Sequence, residues 1–382
     1  MNSFYTVRDE CIICKHKEFT KYFENDYSTY LSFSLFNEIK NDAVSIPFNI
    51  ISCNKCHIIQ TLYIGDINTI YGNNHVDDYG STKNEINEGF SEFILRNKYI
   101  INPIEVGACK NSLSKLIMKN SDILYTIIEP GYRGDFVEKL TIINNYCENV
   151  DFKLLNGNTM IMSAVFEHFY NPVNILEKLR DATNIQYIYL NHPNFEYFCN
   201  NDINNILNFE HIYYIELDFL KQLFKLYGFK IDEIYDYKNN YYFLKFIRLE
   251  DYVLSNDITF NNITSYNDTV NYFNRMHTRI NKLNTMLQDS TSKYYIWPTS
   301  AHTVTLFMNG LQWNKLAGIL DNSPNKIGKF MYGYNLQCES MNDKLIENTR
   351  ENITIILTGA GLYLNELNIT NSKLKIINFN EL

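Results

Sequence analysis

From about Pro103 the chain alternates short apolar runs with amphipathic stretches. The runs at 104–108 (IEVGA), 123–130 (ILYTIIEP), 159–166 (TMIMSAVF) and 185–193 (IQYIYLNHP) have the length and β-branched content of buried strands. Between them, 111–120, 135–146 and 172–182 read as helices, the last with Pro172 at its start. A further helix over 218–229 ends at Gly228. The runs FKIDEIYDY (229–237) and YYFLKFIRL (241–249) predict a hairpin that closes the sheet. This rhythm predicts an α/β fold built on a doubly wound, Rossmann-like sheet. Upstream, Ile86, Phe90, Phe93, Ile94 and Ile100 fall near helical spacing. Downstream, a helical stretch over 270–287 leads into a second, shorter α/β rhythm: 293–311, 316–324 and 351–359. The reading divides the chain into a cysteine-bearing module (1–75), a central α/β domain (76–250) and a C-terminal Rossmann-like α/β domain (251–382).

The 382 residues suit two or three domains. No apolar run approaches the roughly 18–20 residues that span a bilayer, so no membrane partner is expected. The N-terminal residues show no apolar stretch behind a basic start, so a secretory signal is not read and a cytoplasmic location is expected. The net charge of −9, with no dense Lys/Arg cluster, argues against a nucleic-acid partner.

Four of the eight cysteines form two C-x-x-C pairs, Cys11/Cys14 and Cys53/Cys56. Two such pairs complete a tetrahedral zinc site, and four thiolates leave no open position, so the metal is read as structural. Two redox pairs are the alternative. His16 and His57, beside the cysteines, could each replace one as a ligand, but both are read as surface residues.

Gly107, at the end of the first strand of the α/β sheet, lets the backbone turn tightly against a ligand. Glu105 opens this segment, and Glu129, followed by Pro130, ends the next strand 24 residues on. An acid there suits a ribose diol. The later glycines of a pyrophosphate loop are replaced by Lys110, Asn111 and Ser112, which favours a ribose-bearing ligand without pyrophosphate, such as S-adenosylmethionine. A plain strand–glycine–helix turn is the alternative. Glu167 and His168, after a later strand, could line the same pocket, or Glu167 could serve the following helix.

Taken in order, these pieces resemble the three-domain, zinc-containing, S-adenosylmethionine-dependent sugar C-methyltransferases. The resemblance covers nearly the whole chain. It rests on both C-x-x-C pairs with Gln60 downstream, YGNNH (71–75) followed by Tyr79-Gly80-Ser81, and IEVGA (104–108). It also uses IIEP (127–130), VFEHFYNP (165–172), NFEH (208–211) and ILDNSPNKIGKFMYGY (319–334). The resemblance implies C-methylation of a nucleotide-linked keto-deoxysugar: a base removes a proton beside the keto group, and the carbanion attacks the sulfonium methyl. It implies His211 as base with Glu210 orienting it, and Tyr79 in the site. His75 and His192 are further candidates. Three departures stand out. Asn208-Phe209 precedes the Glu-His pair, the glycine loop is altered, and the third domain opens on Pro298-Thr299-Ser300-Ala301-His302. They leave two alternatives: an O- or N-methyltransferase acting on a sugar, or a non-catalytic nucleotide-sugar-binding relative. Asp321, with Lys326 and Lys329, could bind a sugar hydroxyl and a phosphate, or form a solvated turn.

Overall fold

A computed structural model describes residues 4–23, 28–30, 34–71, 80–119, 122–135, 137–204, 206–252, 264–342, 352–359 and 375–382. Tyr79 and His75 lie outside them.

The N-terminal module is built on strands β1 (Phe19–Phe23), β2 (Ile50–Cys53) and β3 (Ile59–Thr61), followed by a short helix α1 (Ile67–Tyr71). The central unit runs α2 (Gly80–Leu95), β4 (Ile104–Val106), α3 (Ser112–Met118), β5 (Tyr125–Ile128), β6 (Leu140–Ile143), β7 (Thr159–Ser163), α4 (Pro172–Asp181) and β8 (Tyr187–Pro193). It continues through α5 (Phe195–Asn200), β9 (Tyr213–Tyr214), α6 (Leu217–Leu226), β10 (Phe229–Tyr237) and β11 (Tyr241–Arg248). The long helix α7 (Thr264–Met286) connects to β12 (Lys293–Trp297), α8 (Ala301–Met308), β13 (Gly318–Asp321), β14 (Cys338–Ser340), β15 (Ile353–Leu357) and β16 (Lys375–Asn378).

Seven strands form the central sheet in the order β6-β5-β4-β7-β8-β11-β10. The first five are parallel, and β11 pairs antiparallel to both β8 and β10. Alternate residues of β4 serve opposite faces. Ile104 and Val106 join Leu176, Leu179, Leu220 and Phe224 of α4 and α6. The other face packs Ile127, Ile161 and Tyr189 against Phe90 and Phe93 of α2 and Leu113 and Ile117 of α3. The helix expected over 135–146 is a correction: its centre is the parallel strand β6, paired with β5 from Tyr125↔Leu140 to Ile128↔Ile143. Thr141, Ile142 and Ile143 are β-branched, and the open edge of β5 supplies ladder partners that an isolated helix would lack.

The C-terminal sheet is wholly parallel, ordered β14-β13-β12-β15-β16. One apolar cluster joins its Ile296 and Ile319 to Phe48 and Ile50 of the first module, Phe198 and Leu207 of the central unit, and Leu283 of α7. The modules also share strands. β9 completes the N-terminal sheet, ordered β9-β3-β2-β1, through Tyr213↔Gln60 and Tyr214↔Ile59. Leu35–Phe36 pairs with Phe330–Met331. No helix among the described residues is long and apolar enough to cross a membrane.

Candidate functional site

Both C-x-x-C segments fold the same way. Lys15 N donates to Cys11 O (3.1 Å) and His57 N to Cys53 O (2.9 Å). Lys15 and His57 each take a positive φ just after the second cysteine (59° and 62°). Backbone N–H groups of Ile13 and Lys55 point at the first sulfur of each pair, both at 3.4 Å. The sulfurs of Cys11 and Cys56, and of Cys14 and Cys53, are 3.5 Å apart, and all four lie within 4.8 Å of one another. Zinc–sulfur bonds of about 2.3 Å set tetrahedral sulfurs about 3.8 Å apart, so the donor set fits a zinc ion. Hydrogen bonding among the crowded thiols pushes Cys11 and Cys56 up, while it holds Cys53 down and Cys14 at about 6. A central cation removes that conflict. Gln60, fully buried, accepts Ile12 N at 3.1 Å and so ties the first knuckle to β3.

In the central sheet the direction of chain progression reverses between β4 and β7, and the loops after both strands meet there. Gly107 (φ +74°) leaves β4; a Cβ on it would stand 2.5 Å from Val165 Cγ2, in the loop after β7. Cys109 also takes a positive φ, 45°. Glu129 holds this turn. Its Oε2 accepts Cys109 N (3.1 Å) and its Oε1 accepts Gly131 N (2.7 Å), with the residue only half-buried and Pro130 exposed beside it. Glu105 lies within the strand, buried, and accepts Tyr125 Oη at 3.0 Å. Burial pushes its carboxyl up to about 7 against that hydrogen bond.

Past Val165 a single turn carries Glu167 and His168 into a cluster of imidazoles. The Glu167 carboxylate is buried, and three rings surround it. His192 Nδ1 is 3.7 Å from Oε2, and His168 Nε2 and His211 Nε2 are each 4.0 Å from Oε1. Burial raises the Glu167 pKa, and only where His192, His168 and His211 carry protons do they outweigh it and lower the carboxyl to about 2. His211 is pushed down to about 4, first by burial and then by His168. Its Nδ1 is 2.8 Å from Ile206 O. The Asn208 side chain accepts Glu210 N (2.9 Å) and His211 N (3.0 Å), fixing the turn. Glu210 sets its Oε2 3.8 Å from His168 Nδ1. The same Nδ1 is 2.7 Å from Tyr71 Oη at the end of α1.

Expected residues therefore meet, with altered neighbours. His211 and His192 face Glu167, which the sequence placed on the cofactor side, and His211 takes its orientation from Ile206 and Asn208. Tyr71 was not singled out. Its signal is its position shortly after the second cysteine pair, near the end of the module after which a tyrosine was expected at 79. In the C-terminal domain Lys326 Nζ pairs with Asp321 (2.9 Å) and Thr299 O (2.8 Å), so these charges satisfy each other.

No family model and no curated protein matches the chain. Over less than half its length the chain is similar to several solved structures. Magnesium protoporphyrin IX methyltransferase from Synechocystis PCC 6803 is 13% identical over 47% of this chain and 90% of that one, with a TM-score of 0.34. An S-adenosylmethionine dependent methyltransferase from Listeria monocytogenes is 8% identical over 44% and 100%, at 0.34. An N-methyltransferase from Bradyrhizobium japonicum WM9 is 8% identical over 45% and 99%, at 0.32. The sheet order itself, six parallel strands with the first in sequence near the centre and one reversed strand inserted between the last two, defines a doubly wound, Rossmann-like α/β fold.

Proposed function

We propose that the chain is an S-adenosylmethionine-dependent methyltransferase whose acceptor is a nucleotide-linked keto-deoxysugar, methylated at carbon. The observation that carries this reading is the contact of the Gly107 turn with Val165. It sets a turn suited to a ribose-bearing cofactor against the loop that delivers Glu167 and His168. Ligands of open α/β sheets bind at such a reversal point. On this reading Gly107, Glu129 and Pro130 face the cofactor, and Glu105 supports the strand beneath. Glu167 and His168 stand between cofactor and acceptor. Glu210, His211 and His192, with Tyr79, serve the acceptor, and one of the Glu210–His211 pair takes its proton. Zinc occupies the four-cysteine site as a structural ion. When bound, the cofactor supplies an electrophilic methyl group. The chain's part is to hold the acceptor carbon in line, exclude water and accept the proton.

A second reading, transfer to oxygen or nitrogen of a sugar, draws on Asn208. Its amide oxygen is committed to the backbone of Glu210 and His211, where the resembled family holds a polar pair. Calorimetry with S-adenosylmethionine and its demethylated product tests the common part, with micromolar binding expected and none at millimolar concentration refuting it. Incubation with keto-sugar nucleotides and NMR of the product then locates the methyl on carbon, oxygen or nitrogen.

A further inference from the structure

Glu167 presents a problem that the methyl-transfer reading leaves unsolved. Its residue is 3% exposed, and among the described residues neither carboxylate oxygen has a hydrogen-bond donor within bonding distance. Buried carboxylates otherwise collect donors or a counter-ion. The nearest polar atoms are imidazole nitrogens, and their outer nitrogens are already engaged. His211 Nδ1 meets the carbonyl of Ile206 and His192 Nε2 that of Ile215 (3.3 Å). A carbonyl only accepts, so both outer nitrogens carry the hydrogen. Neutral rings then aim lone pairs inward: Nε2 of His211 and Nδ1 of His192, the latter also without a hydrogen-bond partner among the described residues. The hydroxyl of Tyr71 can take the Nδ1 hydrogen of His168 and leave its Nε2 in the same state.

Lone pairs therefore converge on a carboxylate with no proton between them. Protonated rings would close to charge-assisted bonds of about 2.7–2.9 Å, whereas the separations are 3.7–4.0 Å. Ligands about 2.0–2.2 Å from one ion stand about 3.3–3.6 Å apart at tetrahedral angles, so these side chains would close onto an ion with shifts of about 0.5 Å. The donor atoms of Glu167, His168 and His211 all lie within 4.8 Å of one another. Outer nitrogens bound to carbonyls or hydroxyls are the usual support of metal-ligating histidines.

We propose that Glu167, His168 and His211 bind a divalent first-row transition ion, a second metal site distinct from the four cysteines. Two imidazoles and one carboxylate select such an ion and leave coordination positions open. The four-thiolate site is closed; this one admits an oxygen of a ligand. Binding of the ion stands without the methyltransferase reading, but its role rests on it. There the ion polarises the acceptor's oxygen, His211 acts through the ion, and Glu210 is the carboxylate left to take the proton.

The test uses full-length protein, stripped by chelator under reducing conditions and titrated with cobalt(II). The first equivalent should show intense sulfur-to-metal charge-transfer bands and the second only weak visible bands, at micromolar affinity or better. Glu167→Gln, His168→Gln and His211→Gln should each weaken the second equivalent 100-fold or more and leave the first intact. Should Glu167→Gln fail to fold, the two histidine variants, on partly exposed side chains, decide alone. Saturation at one sulfur-bound equivalent overturns the proposal, as does a second equivalent unchanged in the folded variants. Calorimetry with S-adenosylmethionine on the same samples separates the two readings. Cofactor binding with one metal sinks only the ion; two metals without cofactor binding sink only the methyltransferase.

Discussion

Replacing Gly107 by alanine probes the point where the turn proposed to hold the cofactor touches the imidazole-bearing loop. Two penalties follow from the structure. At φ +74° an L-residue loses about 1–2 kcal/mol to the clash of its own Cβ with backbone. The same Cβ would stand 2.5 Å from Val165 Cγ2 and 3.2 Å from its Cβ. Valine is stiff about χ1 and cannot swing clear, so overpacking adds about 1–3 kcal/mol. If the turn relaxes in the free protein, cofactor binding must restore it, and the affinity for S-adenosylmethionine should fall at least about 30-fold at roughly 1.4 kcal/mol per tenfold. Gly107→Ala combined with Val165→Ala removes Cγ2 but not the backbone strain, so the loss relative to Val165→Ala alone should shrink to about 5–30-fold. Calorimetric titration of the four proteins measures this, with melting curves to confirm that each is folded. A folded Gly107→Ala protein that binds the cofactor within twofold of the parent refutes the placement of the pocket at this turn. A loss equal in both backgrounds refutes the role of Val165.

Glu105→Gln should stabilise the protein at pH 8 and change little at pH 5. The folded carboxyl titrates at about 7 against 4.5, so its contribution is intact below 4.5 and about 3 kcal/mol is lost as pH rises through 7; equal melting shifts at both pH values would count against it. Stripping the four-cysteine site should unfold the N-terminal sheet, because structural zinc contributes about 10–16 kcal/mol, more than a typical domain holds in reserve; an unchanged melting temperature and protease pattern in the metal-free protein would contradict this. Gln60→Leu should cost about 1–3 kcal/mol through the orphaned Ile12 N–H, read by denaturant unfolding. Asn208→Ala should leave cofactor affinity within threefold and lower methyl transfer tenfold or more by loosening the His211 turn; unimpaired transfer would remove Asn208 from the positioning of that turn.

Much of the scaffold was written locally. The strands of the central sheet carry continuous apolar runs because helices cover both faces, and Pro172 and Gly228 mark helix ends where expected. The segment 140–143 misled because its apolar spacing fits a helix, while its strand character depends on a neighbour, β5, that only the assembled sheet provides. β14 and β16 are edge strands of three and four residues, too short to leave a period. At the site, motif order brought out His211, Glu167 and His168, and a strand end brought out His192, but not that the three imidazoles surround the Glu167 carboxylate. That is decided by the turn after β7, and Phe166–His168 reads like any helix start. Tyr71 reaches His168 across 97 positions of chain, a pairing with no local signature.

The position of the cysteine module links a structural ion there to the proposed site. β3 follows the second cysteine pair directly and zips onto β9 through Gln60 and Ile59. β9 begins two residues after His211, so the register of this pairing sets where the Asn208 turn presents its imidazole. From the same strand, Tyr213 donates its hydroxyl hydrogen to the carbonyl of Phe166, the residue before Glu167. Arg8 adds a second tie, donating to Thr61 O at 2.9 Å on β3 and to Ile212 O at 3.5 Å. One short strand thus fixes His211 and the Glu167 turn together, and the four thiolates hold the sheet that this strand joins. Losing the ion would free both groups at once, so acceptor chemistry should fail before the Gly107 turn, which the parallel core holds independently through Ile128 O, releases its cofactor.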